Sequence, residues 1–448
     1  MDELAEACLA GASPERLAAL PIPDEYTALH LRTEDVDMFR GVADKDVRKS
    51  LRVGPVPMPE LAPDECLVAV AASAINYNTV WSAMFEPLPT FKFLSRFARR
   101  GRWEARHDRP FHVVGSDGAG VIVRVGDGVR RWKIGDHVVV SPAYVDDQEP
   151  ASHEDAMLGA EQLAWGFETN FGGLAHYAVV RSTQLMPKPA HLTWEEAASI
   201  PLCGGTAYRM LVGAHGARIK QGDVVLIWGA TGGLGAYAMQ LVRNGGGVAV
   251  GVVGSGEKAD LLRTLGCDVV INREEIDGLA AATEPSGVAS AGRRLGEVIR
   301  REVGEDPHVA FDYVGRATFG LSVFLVRRGG VVVTCGSSTG YQHHFDNRYL
   351  WMKLKRVIGS HIANLQEQWE CNRLVEMGRI RPMLSRVYDL QDAAEATRLV
   401  QRNGHVGKVG VLCLAPRPGL GVTDPQRRER LGGNAVSPLL ATAGGRAE

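Results

Sequence analysis

Asp223-Val224-Val225-Leu226-Ile227-Trp228-Gly229-Ala230-Thr231-Gly232-Gly233-Leu234-Gly235 is the stretch whose reading decides the fold. Its first half is an apolar run of strand length. Behind it, Ala236-Tyr237-Ala238-Met239-Gln240-Leu241-Val242-Arg243 spaces its apolar residues as a helix does. Strand, glycine turn and helix in that order cradle a pyrophosphate. The glycines let the backbone approach the phosphates, and the helix N-terminus offers free N–H groups and the positive end of its dipole. A bare glycine pattern also occurs in ordinary tight turns, so the flanking strand and helix carry the assignment. Gly229, Thr231, Gly232, Gly233, Leu234 and Gly235 are the expected dinucleotide-cradling positions.

Working outward, further apolar segments at 248–253, 269–271, 309–313 and 331–335 alternate with helical stretches. That succession predicts an α/β domain over residues 189–360, a Rossmann-type doubly wound parallel sheet. Upstream, short apolar segments at 67–75, 111–125 and 132–140 are punctuated by glycine and polar turns, which predicts a β-rich, barrel-like domain over 1–188. Residues 361–416 are expected to return to that first domain. Residues 417–448, rich in Gly, Arg, Pro and Ala, read as a mostly disordered tail. A cleft between two such domains is where a cofactor and a substrate meet.

The bulk properties narrow the classes. The 448 residues amount to two or three domains. A formal net charge of −2 argues against a nucleic-acid partner held by bulk charge. No apolar run spans a bilayer, and Met1-Asp2-Glu3-Leu4 lacks the basic-then-apolar layout of a secretory signal, so no membrane association and a cytoplasmic location are expected. Cys8, Cys66, Cys203, Cys267, Cys335, Cys371 and Cys413 form no C-x-x-C pair. They read as reduced thiols, and a four-cysteine structural zinc is not expected.

The second strand of the nucleotide domain runs into Gly254-Ser255-Gly256-Glu257-Lys258. An NAD-selective site places an acid at that strand end for the ribose hydroxyls. Here small and polar residues stand instead, and Ser255, Lys258 and Arg273 suit a 2′-phosphate. NADPH is therefore expected. The competing reading leaves Lys258 and Arg273 as solvated charges.

Several longer stretches carry a resemblance. They are Ile75-Asn76-Tyr77-Asn78-Thr79-Val80-Trp81, Arg106-His107-Asp108 through Val114-Gly115-Ser116-Asp117, and Trp165-Gly166-Phe167-Glu168-Thr169-Asn170-Phe171-Gly172-Gly173. To these are added Asp346-Asn347-Arg348-Tyr349-Leu350-Trp351-Met352, Ile358-Gly359-Ser360-His361 and 407–416. Over residues 1–422 the chain resembles the crotonyl-CoA (enoyl-CoA) carboxylase/reductase group of the medium-chain dehydrogenase/reductases. The resemblance implies a GroES-like catalytic domain beside the Rossmann domain and a homotetramer. It implies that NADPH gives a hydride to Cβ of an α,β-unsaturated acyl-CoA, whose enolate attacks CO2 at Cα to yield an alkylmalonyl-CoA. It also implies that Asn78, Phe167, Glu168 and His361 hold the CO2, that Thr206 joins the cofactor site, and that Arg348, Tyr349 and Arg328 meet the CoA.

The chemistry of that set stands on its own. CO2 is small, linear and weakly polar. Asn78 and His361 offer hydrogen-bond donors for charge developing on the new carboxylate. Phe167 walls off water that would protonate the enolate. Ionised Glu168 is acceptor-only, so it acts through an ordered water or by orienting His361. The enolate is itself the carbon nucleophile, so neither a metal nor biotin is required. Taken singly, each residue also has an ordinary structural role, as turn former, packed aromatic or satisfied histidine.

Three segments depart from crotonyl-type members: 200–208, which contains Gly204 and Gly205; Phe311-Asp312-Tyr313-Val314-Gly315; and 274–295. The paired glycines remove volume beside the expected acyl site, which predicts an acyl chain longer or more branched than crotonyl and a role in supplying polyketide extender units. The alternative is a plain NADPH-dependent enoyl-CoA or quinone reductase in which a proton captures the enolate.

Overall fold

The computed structural model describes residues 1–279 and 285–443. The chain forms two compact units, Met1–Leu202 with the return from Asn364, and Cys203–Ala363.

The first unit is built on Glu65–Ile75, a strand buried along its whole length. Its large sheet runs Leu185–Pro187, His137–Val140, Ala119–Val125, Glu65–Ile75, Lys408–Leu412, Leu384–Asp389, with Tyr177–Arg181 also pairing to Glu65–Ile75. A three-stranded sheet places Glu25–Arg32 between Arg52–Pro57 and Phe111–Val113. The expected β-rich architecture follows from this set of short, mostly antiparallel strands.

The return strand Lys408–Leu412 brings a buried cation to the heart of this unit. Lys408 Nζ lies 3.0 Å from Asp117 Oδ2 and also donates to Ile75 O and Asn76 Oδ1. Asn76 Nδ2 donates to the same Asp117 oxygen at 2.8 Å, and Leu202 N donates to the other at 2.9 Å. Burial raises the Asp117 pKa, opposed by Lys408 and these donors. One carboxylate thus fixes the end of the central strand, the start of the next helix and the exit of the chain. Removing one partner of such a buried pair costs about 3–5 kcal/mol.

The second unit is a six-stranded parallel sheet in the order Val269–Asn272, Val248–Val253, Val224–Trp228, Val309–Phe311, Val331–Thr334, Arg356–Gly359. Numbered along the chain this is 3-2-1-4-5-6, the doubly wound dinucleotide-binding order. Its core gathers Leu226, Val250, Ile271, Leu295, Ile299, Ala310 and Val332.

Three expected boundaries are corrected. The nucleotide unit begins at Cys203, not 189, because the helix Trp194–Ala198 belongs to the first unit: Glu195 accepts from Gly419 N and Glu196 pairs with Arg428. It ends at Ala363, not 360. Arg356–Gly359 adds to the parallel sheet and Ser360 N extends the pairing to Thr334 O at 2.7 Å, so His361 is carried by the nucleotide unit and not by the return. The tail is ordered through residue 443. Pro425–Arg430 and Pro438–Ala443 are helical, Val436 and Leu439 are buried, and Arg428 meets Glu196 at 2.6 Å. A few apolar residues and one shielded ion pair supply the docking energy that composition hides. Residues 444–448 of the expected tail and 280–284 of the departing segment lie outside the described residues.

Candidate active site

Asn78 lies in the first turn of the helix Tyr77–Met84, which starts where the long central strand ends. Its Nδ2 donates to Ser116 Oγ at 2.7 Å, and Ser116 Oγ donates to Trp165 O at 2.6 Å. A serine hydroxyl carries one proton, so that order fixes the Asn78 amide: nitrogen toward Ser116, Oδ1 elsewhere. Oδ1 is buried and has no hydrogen-bond partner among the described residues. Asn78 keeps a second Nδ2 hydrogen for a ligand.

Trp165 begins the turn that carries Phe167 and Glu168. Gly115 and Gly166 both have positive φ, and a β-carbon on Gly166 would overlap the Gly115 carbonyl. Only glycine permits this approach, which seats the Phe167–Glu168 turn against the Ser116 turn. Glu168 Oε2 accepts from Ala164 N at 2.8 Å, leaving Oε1 for a water or ligand. Burial raises the Glu168 pKa; the Ala164 N–H and the charges of Arg100 and Arg96 oppose it. Phe167 packs against Phe93 with ring centroids 5.9 Å apart. The structure therefore brings together three of the four expected residues, Asn78, Phe167 and Glu168.

His361 follows the last parallel strand of the other unit. It is solvent-accessible, yet the groups packed around it desolvate the ring and lower its pKa below the ordinary 6.5, and the Arg209 charge acts the same way. The neutral imidazole is thereby favoured at neutral pH. The next residue, Ile362, is buried at φ +49°. A β-branched residue in that region stores about 1–3 kcal/mol of strain, which marks this turn as held in place by its surroundings.

The glycine turn forms as its spacing predicts. Gly232 caps the helix Gly233–Asn244, Gly232 N donates to Gly229 O, and a β-carbon on Gly235 would collide with Gly229 O. Gly229 sits at φ +62°. Thr231 is buried and Leu234 half-buried in the same turn. Beneath it lies Tyr313, whose hydroxyl donates to Gly229 O at 2.7 Å; a β-carbon on Gly232 would stand 2.5 Å from the Tyr313 hydroxyl oxygen. Burial pushes the Tyr313 phenol up, so it remains a donor. Its neighbour Asp312 is fully buried and accepts from Ser322, Thr318, Val314 and Gly315, while Ser322 accepts from Trp228 Nε1. The departure at 311–315 is thus a support for the phosphate turn.

At the end of Val248–Val253, Ser255 caps the helix Gly256–Thr264 by accepting from Lys258 N. Val253 pairs with Asn272, so Gly254 lies beside Arg273; a β-carbon there would be 3.2 Å from its Nε and Nη2. Arg273 thus stands beside the Gly254–Ser255 turn, and Lys258 lies in the first turn of the helix that Ser255 caps. Thr206, in the helix Pro201–Leu211, is buried and its hydroxyl has no partner among the described residues. These features fit NADPH. Gly204 and Gly205 are buried in the same helix.

The CoA candidates differ in character. Arg348 is exposed on the short helix Asn347–Trp351 and pairs with Asp346 at 2.7 Å, an exposed contact worth little and readily exchanged for a phosphate. Tyr349 is half-buried and packs edge-on against Phe324 at 4.8 Å. Arg328 is exposed. Among the described residues no three His, Cys, Asp or Glu side chains gather as metal ligands. Burial pushes the thiols of Cys66, Cys371 and Cys413 up to about 12, so none of these offers a thiolate.

Sequence reasoning missed the roles of Ser116 and Tyr313. Ser116 stands in a quoted stretch, but a serine relaying one hydrogen bond leaves no spacing signal. Tyr313 showed only as a departure.

Two family models match. One is the alcohol dehydrogenase GroES-like domain, over residues 62–190, and the other the zinc-binding dehydrogenase, over residues 233–377. The chain is 52% identical over 414 residues to a crotonyl-CoA reductase of Streptomyces avermitilis, covering 92% of this chain and 93% of that one. It is 38% identical over 408 residues to a crotonyl-CoA carboxylase/reductase of Cereibacter sphaeroides, covering 89% and 90%. Among solved structures, a 2-octenoyl-CoA carboxylase reductase in complex with NADP and 2-octenoyl-CoA superposes with a TM-score of 0.96 at 64% identity, covering 98% of this chain and 99% of that one.

Proposed function

The chain belongs to the crotonyl-CoA carboxylase/reductase family of the medium-chain dehydrogenase/reductases, and from that premise we propose that it carries out NADPH-dependent reductive carboxylation of a medium-chain 2-enoyl-CoA. The observation that carries the chain length is the 64% identity, over nearly the whole chain, to a structure holding 2-octenoyl-CoA. The buried Gly204–Gly205 pair is proposed to lie beside the acyl tail, where side chains on both residues would take up room.

NADPH, when bound, supplies the hydride that adds to Cβ of the enoyl thioester. The displaced π electrons become the enolate, whose Cα forms a bond to the carbon of CO2 and leaves a carboxylate. If water reaches Cα first, a proton adds instead and the product is the saturated acyl-CoA. Asn78, through its free Nδ2 hydrogen, and neutral His361 donate to the CO2 oxygens as charge grows on them. Glu168 holds an ordered water with Oε1, and Phe167 keeps other water away from Cα. Lys258, Arg273 and Ser255 take the 2′-phosphate, and Arg348 with Arg328 meets the phosphates of CoA.

The alkylmalonyl-CoA product suits a polyketide extender unit. A homotetramer is the proposed assembly. The exposed edge strand Arg356–Gly359, with Trp351, Met352 and Leu354 exposed beside it in sequence, supports self-association. No described helix is long and apolar enough to cross a membrane. A cytoplasmic location is proposed. The chain-length reading is tested by kcat/KM for crotonyl-, 2-hexenoyl- and 2-octenoyl-CoA under saturating bicarbonate. Efficiency should rise with length; a maximum at crotonyl-CoA with a steady fall beyond it contradicts the reading.

A further inference from the structure

The helix Phe91–Ala98 docks through Phe91, Leu94 and Phe97, all buried. Phe91 meets His112, and Phe97 meets His107 and Tyr144. Phe93 lies on the flank of that stripe and is half-buried. Its ring packs at 5.9 Å and a 39° tilt against Phe167. The same helix carries Arg96, and Arg100 lies just beyond its end; both charges act on Glu168. Arg100 is itself held by Glu161 at 3.1 Å. This helix therefore touches Phe167 through Phe93, while Arg96 and, beyond its end, Arg100 act on the neighbouring Glu168 through charge alone.

We propose that Phe93 is a positioning residue that, through its contact with Phe167, sets what share of the enolate is carboxylated and what share is protonated. The inference rests on the assignment of Phe167 and Glu168 to CO2 capture. The physical ground is packing. A phenyl ring held on one face by a second ring keeps one rotamer and closes the gap through which water reaches Cα. Without that backing, Phe167 gains rotamers and the pocket admits water. Hydride transfer to Cβ precedes the choice, so the rate of NADPH oxidation is left nearly unchanged while the product changes. Phe93 is not among the residues that anchor the helix, so its truncation spares the fold.

The test compares Phe93→Ala, Phe93→Leu and Phe167→Ala with 2-octenoyl-CoA, NADPH and saturating bicarbonate, reading the ratio of saturated to carboxylated product. Phe93→Ala should raise that ratio about tenfold, the size of step that a small change of pocket volume gives. Phe93→Leu, which restores bulk, should recover most of the loss. If Phe93→Ala folds poorly, Phe93→Val carries the same test. If Phe167→Ala shifts the ratio and the Phe93 variants do not, or if they lower both products in proportion, the proposal is overturned and the CO2 assignment stands. If Phe167→Ala itself leaves the ratio unchanged, the CO2 assignment fails and the proposal falls with it.

Discussion

Asn78 Nδ2 lies 2.7 Å from Ser116 Oγ, and because Ser116 spends its single proton on Trp165 O, the asparagine must be the donor. This relay joins the helix that carries Asn78 to the turn that carries Phe167 and Glu168. It also leaves Asn78 with one further amide hydrogen, the one proposed to meet CO2.

Ser116→Ala removes the acceptor that orients that amide. A buried hydrogen bond of this kind contributes about 1 kcal/mol, or about fivefold. The carboxylated share should fall by that factor while NADPH oxidation changes little. Mass analysis of the acyl-CoA products, alongside absorbance of NADPH, checks it.

The pH dependence follows from Glu168. Burial raises its pKa above the ordinary 4.5, so the folded protein binds the proton more tightly than the unfolded chain does. Its contribution to stability is present at low pH and lost as pH rises through the raised value. Its proposed contribution to CO2 capture would run the other way, since that role needs the ionised form as an acceptor. The carboxylated share should drop as pH falls through the raised pKa, and Glu168→Gln should flatten the profile. An unchanged profile in that variant removes Glu168 from the account.

Arg273→Ala should weaken NADPH far more than NADH. A hydrogen bond to a charged group contributes about 1.5–3 kcal/mol, so the preference should fall by roughly one to two factors of ten. Lys258→Ala should act in the same direction. Dissociation constants for both nucleotides give the comparison. Equal weakening of the two would assign Arg273 to structure.

Tyr313→Phe deletes only the hydroxyl that holds Gly229 O. KM for NADPH should rise about fivefold, with KM for the enoyl-CoA unchanged and the melting temperature nearly so. A loss confined to the melting temperature shows the bond to be merely structural.

Much of this was legible in the residues. The strand and helix around Gly229–Gly235 and the absence of an acid at Gly254 follow from spacing and chemistry alone, and the structure repeats them. The sixth parallel strand was not legible, because Arg356–Gly359 is a largely exposed edge strand without the buried apolar run that marks the other five. His361 lies one residue past the expected boundary at 360 and within the second unit, which runs to Ala363. The tail misled for a related reason: its docking rests on Arg428 against Glu196, a pairing across more than two hundred residues. Within the site, Asn78, Phe167 and Glu168 became a group only through Ser116 and the Gly115–Gly166 approach, neither of which leaves a periodic signal.

Under the proposed function the enolate is captured by CO2, with Glu168 and His361 each proposed to favour that capture. The most direct measurement is the product mass from 2-octenoyl-CoA and NADPH with carbon-labelled bicarbonate, for the unaltered enzyme and for Glu168→Ala and His361→Ala. A labelled carboxyl is expected on nearly all product from the unaltered enzyme. A shift to unlabelled saturated acyl-CoA is expected in both variants, with NADPH binding retained. Unlabelled saturated product from the unaltered enzyme under saturating bicarbonate would contradict the proposed function.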